Sequence, residues 1–147
     1  MPSVMYVSRA IVPWLGKGFS LISIGDPGQE DEFAKVHPGR LRLEFDDVED
    51  YVDASYVMFD WHKANQLIAW LKEQGEQDIV VHCEGGISRS AGVAKFMIEC
   101  MGYQLAKFHG FDASMESYNS LVYSQLKYRQ LEIKIRQDAI NARQEKI

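Results

Sequence analysis

The sequence predicts an α/β fold, a central mostly parallel sheet flanked by helices, on two observations. Short apolar runs with strand character alternate with segments whose apolar residues recur at helical spacing. Strands mixed with helices over 147 residues suit a sheet covered by helices, because each element must bury its apolar face against another layer. That length fits one domain, residues 1–147 with a helical C-terminal part, and a core that needs no disulfide or structural metal. No internal repeat, low-complexity segment or linker divides it.

A first strand is expected between Val4 and Val12, followed by strands over residues 19–24 (FSLISI), 41–45 (LRLEF) and 79–81 (IVV). Residues 61–72 (WHKANQLIAWLK) place Ala64, Leu67, Ile68 and Leu71 on one helical face and stop at Gly75, a residue suited to end a helix. Residues 89–101 (RSAGVAKFMIECM) form a second helix, ended by Gly102. From about Met115 the chain reads as mostly helix, with Leu121, Val122, Leu126, Leu131, Ile133 and Ile135 as apolar positions. Ligands in open α/β sheets bind beyond the carboxyl ends of strands, and Cys83 follows such an end.

Composition narrows the function classes. Hydrophobic residues make up 46% and charged residues 25%, and no apolar run has the length of a membrane span. The N-terminal stretch lacks the basic start and small-residue cleavage site of a signal peptide, so a cytoplasmic protein with no membrane partner is expected. A net charge of −5 argues against nucleic acid as a partner. The charge is also sorted: Glu44, Asp46, Asp47, Glu49, Asp50 and Asp53 cluster, while Lys127, Arg129, Lys134, Arg136, Arg143 and Lys146 make the tail basic. Both stretches read mainly as solvated faces. The two cysteines, Cys83 and Cys100, lack metal-site or disulfide-framework spacing, so a reducing compartment with free thiols fits.

The chemistry concentrates in residues 81–92, VHCEGGISRSAG. A buried strand delivers Cys83 into a loop with Gly85 and Gly86, and a helix starts near Arg89. Such a turn is an anion cradle, because glycines let backbone N–H groups face inward and the helix N-terminus adds unsatisfied donors and positive potential. The loop residues Glu84, Gly85, Gly86, Ile87 and Ser88 are the expected phosphate-binding backbone. Arg89 offers a planar fork for two phosphate oxygens. The same field stabilises thiolate over thiol, which makes Cys83 the expected nucleophile. A nucleophilic sulfur and a phosphate in one cradle make phosphoryl transfer to sulfur the natural reaction. Ser90 is expected to donate a hydrogen bond to the sulfur when it leaves, and His82 to orient the loop. Cys100, beside Met97 and Met101, reads as a small apolar side chain.

HCEGGISRS resembles the HCxxGxxRS motif of the cysteine-dependent protein tyrosine phosphatase superfamily, matched by His82, Cys83, Gly86, Arg89 and Ser90. Residues 118–126 (YNSLVYSQL) are similar to the NxxFxxQL helix of dual-specificity phosphatases at Asn119, Gln125 and Leu126, with Val122 in place of the aromatic. The chain is shorter than the large tyrosine-specific catalytic domain, so the resemblance implies the compact dual-specificity type, with a shallower pocket.

Expelling an alcohol or phenol oxygen is easier when a carboxylic acid supplies a proton. The resemblance implies an aspartate on a loop thirty-odd positions before the cysteine. Asp47 lies 36 positions before Cys83, and Phe45-Asp46-Asp47 is similar to the Phe-x-Asp form of that loop. Asp47 is therefore the expected general acid, with Asp46 next and Asp50 or Asp53 behind. A calcium loop is the rival reading of this run, but the alternating D-x-D-x-D-G pattern is absent.

The leading expectation is a protein phosphatase that hydrolyses phosphotyrosine, and phosphoserine or phosphothreonine as well, through a phosphocysteine intermediate. It needs no cofactor and no metal, and its partner is a phosphoprotein substrate. Alternatives are a non-catalytic phosphoprotein-binding module and a phosphatase of phosphoinositides or RNA 5′ ends. The lysine-free loop disfavours the highly charged headgroups. Rhodanese-like and arsenate-reducing enzymes also use a loop cysteine, but His82 and Ser90 fit the phosphatase motif better.

Overall fold

A computed structural model describes residues 1–107 and 114–145. Its strands are Ser3–Ser8 (β1), Ser20–Gly25 (β2), Leu41–Glu44 (β3), Ile79–Cys83 (β4) and Gln104–Leu105 (β5). Among the described residues they form one sheet in the order β3-β2-β4-β1-β5, every pairing parallel. The helices are Trp61–Gln74 (α1), Arg89–Met101 (α2) and Ser120–Glu145 (α3). α3 packs on both α1 and α2, while α2 lies over β1 and β4 and α1 over β3. The expected α/β class, parallel sheet and flanking helices are thus present.

β4 is the central strand, and all five of its residues are buried, as a parallel strand covered on both faces requires. Side chains alternate between the two faces. Ile79, Val81 and Cys83 enter the larger core with Val4, Ile22, Ile24 and the inward faces of the helices. Val80 enters a smaller core on the other face with Val7, Val12, Leu21 and Phe33. His82 shares that second side, its ring 5.1 Å from the ring of Phe33. This parity puts Cys83 on the side where α2 begins and His82 behind the sheet. A shift of one residue would exchange them.

The helix α1 carries the expected buried face of Ala64, Leu67, Ile68 and Leu71. Asp60 caps it by accepting from the Lys63 N–H at 3.0 Å, and Gly75 ends it with a φ of 61°. Three expectations shift. β1 ends at Ser8, and residues Arg9–Leu15 form a 3-10 helix containing Pro13, which has no N–H for a sheet ladder. β4 runs past Val81 through His82 and Cys83, which pair with Val7 and Ser8 of β1, and Ser23 partners the imidazole inside the fold. α3 begins at Ser120 rather than Met115, whose φ of 62° lies in the left-handed region. Asn119 starts the helix by accepting from the Val122 N–H at 3.0 Å.

Along α3 only part of the apolar pattern meets the core. Val122 and Leu126 are fully buried, whereas Leu131 and Ile135 are exposed. The reason is length: 26 residues span about 39 Å, while the helices it packs on have 14 and 13 residues. No helix among the described residues is long and apolar enough to cross a membrane.

Candidate active site

The loop after β4 closes over its own cysteine. Cys83 is 2% exposed, and its Sγ accepts from the Gly86 N–H at 3.2 Å and lies 3.1 Å from the Ser90 hydroxyl. Gly86 has a φ of 70°, and a Cβ there would sit 2.2 Å from Ser8 N at the end of β1. A side chain is therefore excluded by both backbone conformation and space. Gly85 differs, since the nearest atom to its Cβ position is an Ile87 side-chain carbon at 3.8 Å. No side chain caps the N-terminus of α2, because the Ser88 hydroxyl donates to Asp47 Oδ1 at 2.7 Å. The first N–H groups of α2 thus keep their capacity for an anion.

Arg89 is 5% exposed and held from one end. Its Nη1 donates to Asp26 Oδ1 at 2.8 Å and to the Phe45 carbonyl at 2.9 Å. Its Nε is buried with no hydrogen-bond partner. A buried guanidinium N–H without an acceptor costs free energy, and the edge of the fork that carries Nε suits a bidentate oxyanion. An oxyanion in the cradle would supply the missing acceptor.

His82 is anchored behind the loop. Its Nε2 lies 2.6 Å from Ser23 Oγ, which also accepts from Arg42 Nη1 at 2.9 Å. Because a carbonyl only accepts, Nδ1–H donates to the Cys83 carbonyl at 3.4 Å, and Nε2 of the neutral ring accepts from the serine hydroxyl. Burial pushes the imidazole pKa down to about 4, so the ring is neutral near pH 7. The His82 side chain thereby ties the last peptide of β4 to β2. Glu84 points outward to Arg9 at 2.9 Å, and that ion pair, with Gln29, holds its carboxyl below the usual range. Ile87 is exposed at the mouth of the loop.

The acidic segment separates into residues with different partners. Asp47 Oδ1 accepts from Ser88 Oγ and, at 2.8 Å, from Asn119 Nδ2, which places this carboxylate against the cysteine loop. Asp46 is committed elsewhere, exchanging two 2.7 Å hydrogen bonds with the backbone of Val57. Glu49 accepts from the Ser120 N–H at 2.9 Å, at the start of α3. Asp53 accepts from the Ser55 backbone and hydroxyl, which lowers its pKa. Asp50 is exposed and makes no hydrogen bond among the described residues. Of the candidates, Asp47 is thus the one hydrogen-bonded to the loop. Cys100 is partly buried on α2, and burial raises its thiol pKa.

Sequence reasoning missed three contributors: Asp26, which holds Arg89, and the Ser23 and Arg42 pair behind His82. Asp26 stands just beyond the carboxyl end of β2, so strand-end position was its one available signal. Ser23 and Arg42 sit on neighbouring strands, in register at Ser23↔Arg42, and only pairing brings them together. Asn119, noted only as part of a helix motif, links the segments by holding Asp47, the Val48 carbonyl and, through its own N–H, the Ser88 carbonyl at 3.0 Å.

Among the described residues, two depressions flank the loop. One of about 180 Å³ is lined by Tyr6, Ile87, Ser114, Met115, Glu116 and Ser117. The other, of about 500 Å³, is bounded by Asp47, Glu49, Ser88 and residues 116–118. A third, of about 480 Å³, lies between Trp61 and α3 and includes no residue of the cysteine loop.

No protein-family model matches the chain, and no curated protein matches it in sequence. Solved structures align with it in three dimensions. A crystal structure of PTPMT1 in complex with PI(5)P aligns with 91% of this chain and 94% of its own, with 18% identity and a TM-score of 0.50. A second PTPMT1 crystal structure aligns over 93% and 95%, with 18% identity and a TM-score of 0.46. At this identity the first of these likenesses is one of fold: a parallel sheet with flanking helices.

Proposed function

We propose that the protein is a cysteine-dependent phosphatase that hydrolyses phosphate monoesters through a phosphocysteine intermediate, with protein phosphotyrosine as the leading substrate and phosphoserine or phosphothreonine as further ones. One observation carries the reading: Cys83 Sγ lies at the base of a loop whose arginine, 5% exposed, keeps a buried Nε–H without an acceptor. A phosphoryl group bound by that N–H and the loop amides supplies the acceptor and stands over the sulfur.

In the first step the Cys83 thiolate attacks phosphorus. The S–P bond forms as the P–O bond to the leaving group breaks, and the Asp47 carboxyl gives its proton to the departing oxygen. Arg89 and the loop N–H groups stabilise charge on the equatorial oxygens. In the second step Asp47, now ionised, takes a proton from water as its oxygen attacks phosphorus. The S–P bond then breaks and releases inorganic phosphate and the thiolate. Ser90 Oγ, 3.1 Å from the sulfur, donates to the returning thiolate and eases its departure. His82 stays neutral and acts by holding the Cys83 carbonyl. The chemistry draws on no metal or cofactor, and it suits the cytoplasm, where the thiol stays reduced.

A phosphoinositide is the second substrate reading, because PTPMT1 was solved with PI(5)P. The variable loop positions Glu84, Gly85, Ile87 and Ser88 offer no cation to a second phosphate. Steady-state and single-turnover hydrolysis of p-nitrophenyl phosphate test the reaction. The native protein is expected to turn over, and Cys83→Ser to lose at least about 10⁴-fold in rate. Phosphopeptide binding by the native protein with no phosphate release would sink the enzyme reading in favour of a binding module.

A further inference from the structure

We propose that Arg9 is a positioning residue for the phosphate site: it grips the side chain of Glu84, holds that carboxylate outside the cradle and cancels its charge there. This rests on the phosphatase reading and adds a residue to the same site. Glu84 directly follows Cys83, and it is the one charged side chain of residues 84–88. A loose carboxylate one residue from the nucleophile would repel a bound phosphate and compete with it for Arg89. The Glu84 carboxyl is held below its usual pKa first by hydrogen bonds from Arg9 and Gln29, and further by the charges of Arg9 and Arg89. It thus stands within electrostatic reach of the guanidinium that receives the phosphate.

The grip is a fork. Arg9 Nε lies 2.9 Å from Glu84 Oε2 and Nη2 donates to Oε1 at 3.0 Å, so one edge of the guanidinium takes both oxygens. The Arg9 N–H also donates to the Glu84 carbonyl at 3.4 Å, which ties the first loop peptide to the end of β1. From the segment after β2, Gln29 Nε2 donates to Glu84 Oε2 at 3.1 Å, and Gln29 Oε1 accepts from the Asp26 N–H at 2.9 Å. Asp26 in turn accepts from Arg89 Nη1 at 2.8 Å. One run of contacts therefore joins Arg9 to the arginine of the cradle. With side chains 44% and 48% exposed, the Arg9–Glu84 pair contributes little to stability. Its effect lies in where a negative charge stands. Arg9 Nη1 also donates to Glu32 Oε1 at 3.2 Å, which supplies an internal control.

The test combines calorimetric titration of inorganic phosphate with steady-state hydrolysis of p-nitrophenyl phosphate, both at low salt. Arg9→Gln is expected to weaken phosphate binding and raise KM about three- to tenfold with kcat little changed, an effect that shrinks at about 0.5 M salt. In that background Glu84→Gln should restore both values to within about twofold of the native protein, and Glu32→Gln should not. Native-like binding by Arg9→Gln, or a loss confined to kcat, would overturn the proposal. So would a double variant with Glu84→Gln that stays as weak as the single one, because Arg9 would then act only by shaping the loop, and so would equal rescue by Glu32→Gln. If phosphate binding depends on Arg9 in this way but p-nitrophenyl phosphate is not hydrolysed, the phosphatase reading fails and the role of Arg9 stands. A native protein that binds no phosphate would overturn both.

Discussion

The loop that holds Cys83 closes on itself, with the Gly86 N–H and the Ser90 hydroxyl both on Sγ, whereas the segment that carries Asp47 is held by residues far along the chain. Asp47 depends on Ser88 and Asn119, Asp46 on Val57, and Glu49 on Ser120. The first region owes its shape to a strand end, a left-handed glycine and a helix start within a few residues. The second has no regular structure over residues 45–60 and takes its geometry from what it lies against. Local closure makes a region intolerant at particular backbone positions. Borrowed geometry makes a region sensitive to its partners instead.

Breaking the local closure should have the largest effect. Gly86→Ala forces a Cβ to within 2.2 Å of Ser8 N at a positive φ. It is expected to lower stability by about 2–4 kcal/mol in urea titration and to abolish most turnover. Gly85→Ala, with 3.8 Å of room, should stay within about 0.5 kcal/mol of the native protein. Similar losses for the two would show that the close approach to β1 is not what shapes the loop.

The borrowed region is probed by leaving-group dependence. Asp47→Asn should slow hydrolysis of alkyl and poor-leaving phenyl phosphates by about 10²-fold or more, and p-nitrophenyl phosphate much less. Asp46→Asn, which loosens the Val57 contact, should slow all esters by one common factor. A leaving-group dependence that follows Asp46 or Asp50 would move the acid assignment to that residue.

His82 links the loop to the sheet and gives a pH signature. Its folded pKa of about 4 lies below the unfolded value of 6.5, so the unfolded chain binds more protons between these values. The stability this neutral ring contributes is present above about pH 6.5 and is lost as pH falls toward 4. Urea titrations at pH 7 and 4.5 should differ by about 2–3 kcal/mol from this group. His82→Gln should flatten that part of the profile, and an unchanged profile would remove His82 as its source.

The smallest effect is expected at the outer anchor of Arg89. Asp26→Asn keeps a hydrogen-bond acceptor but removes the charge from a carboxylate that is 58% exposed. It should raise KM for p-nitrophenyl phosphate by about three- to tenfold with little change in kcat. A drop confined to kcat would instead mean that Asp26 acts on the transition state alone.

The cysteine, the glycine that must lack a side chain, the arginine fork and the serine beside the sulfur were all legible as a short sequence run, because a strand-to-helix turn brings neighbours in sequence together in space. The same holds for α1, whose period alone placed Ala64, Leu67, Ile68 and Leu71 inside. The exposed half of α3 was not legible, since Leu131 and Ile135 keep their spacing whether or not a core lies opposite. The ranking of Asp47 ahead of Asp46 came only from the resemblance of Phe45-Asp46-Asp47 to a Phe-x-Asp loop. These two share composition, neighbours and charge, and they differ only in what stands across from them: Ser88 and Asn119 for one, the Val57 backbone for the other. The sequence by itself determined the shape of the cysteine loop, because its geometry is a local property of the chain. The carboxylate that faces it, and the aspartate that holds its arginine, were decided only when strands and helices distant in sequence had packed.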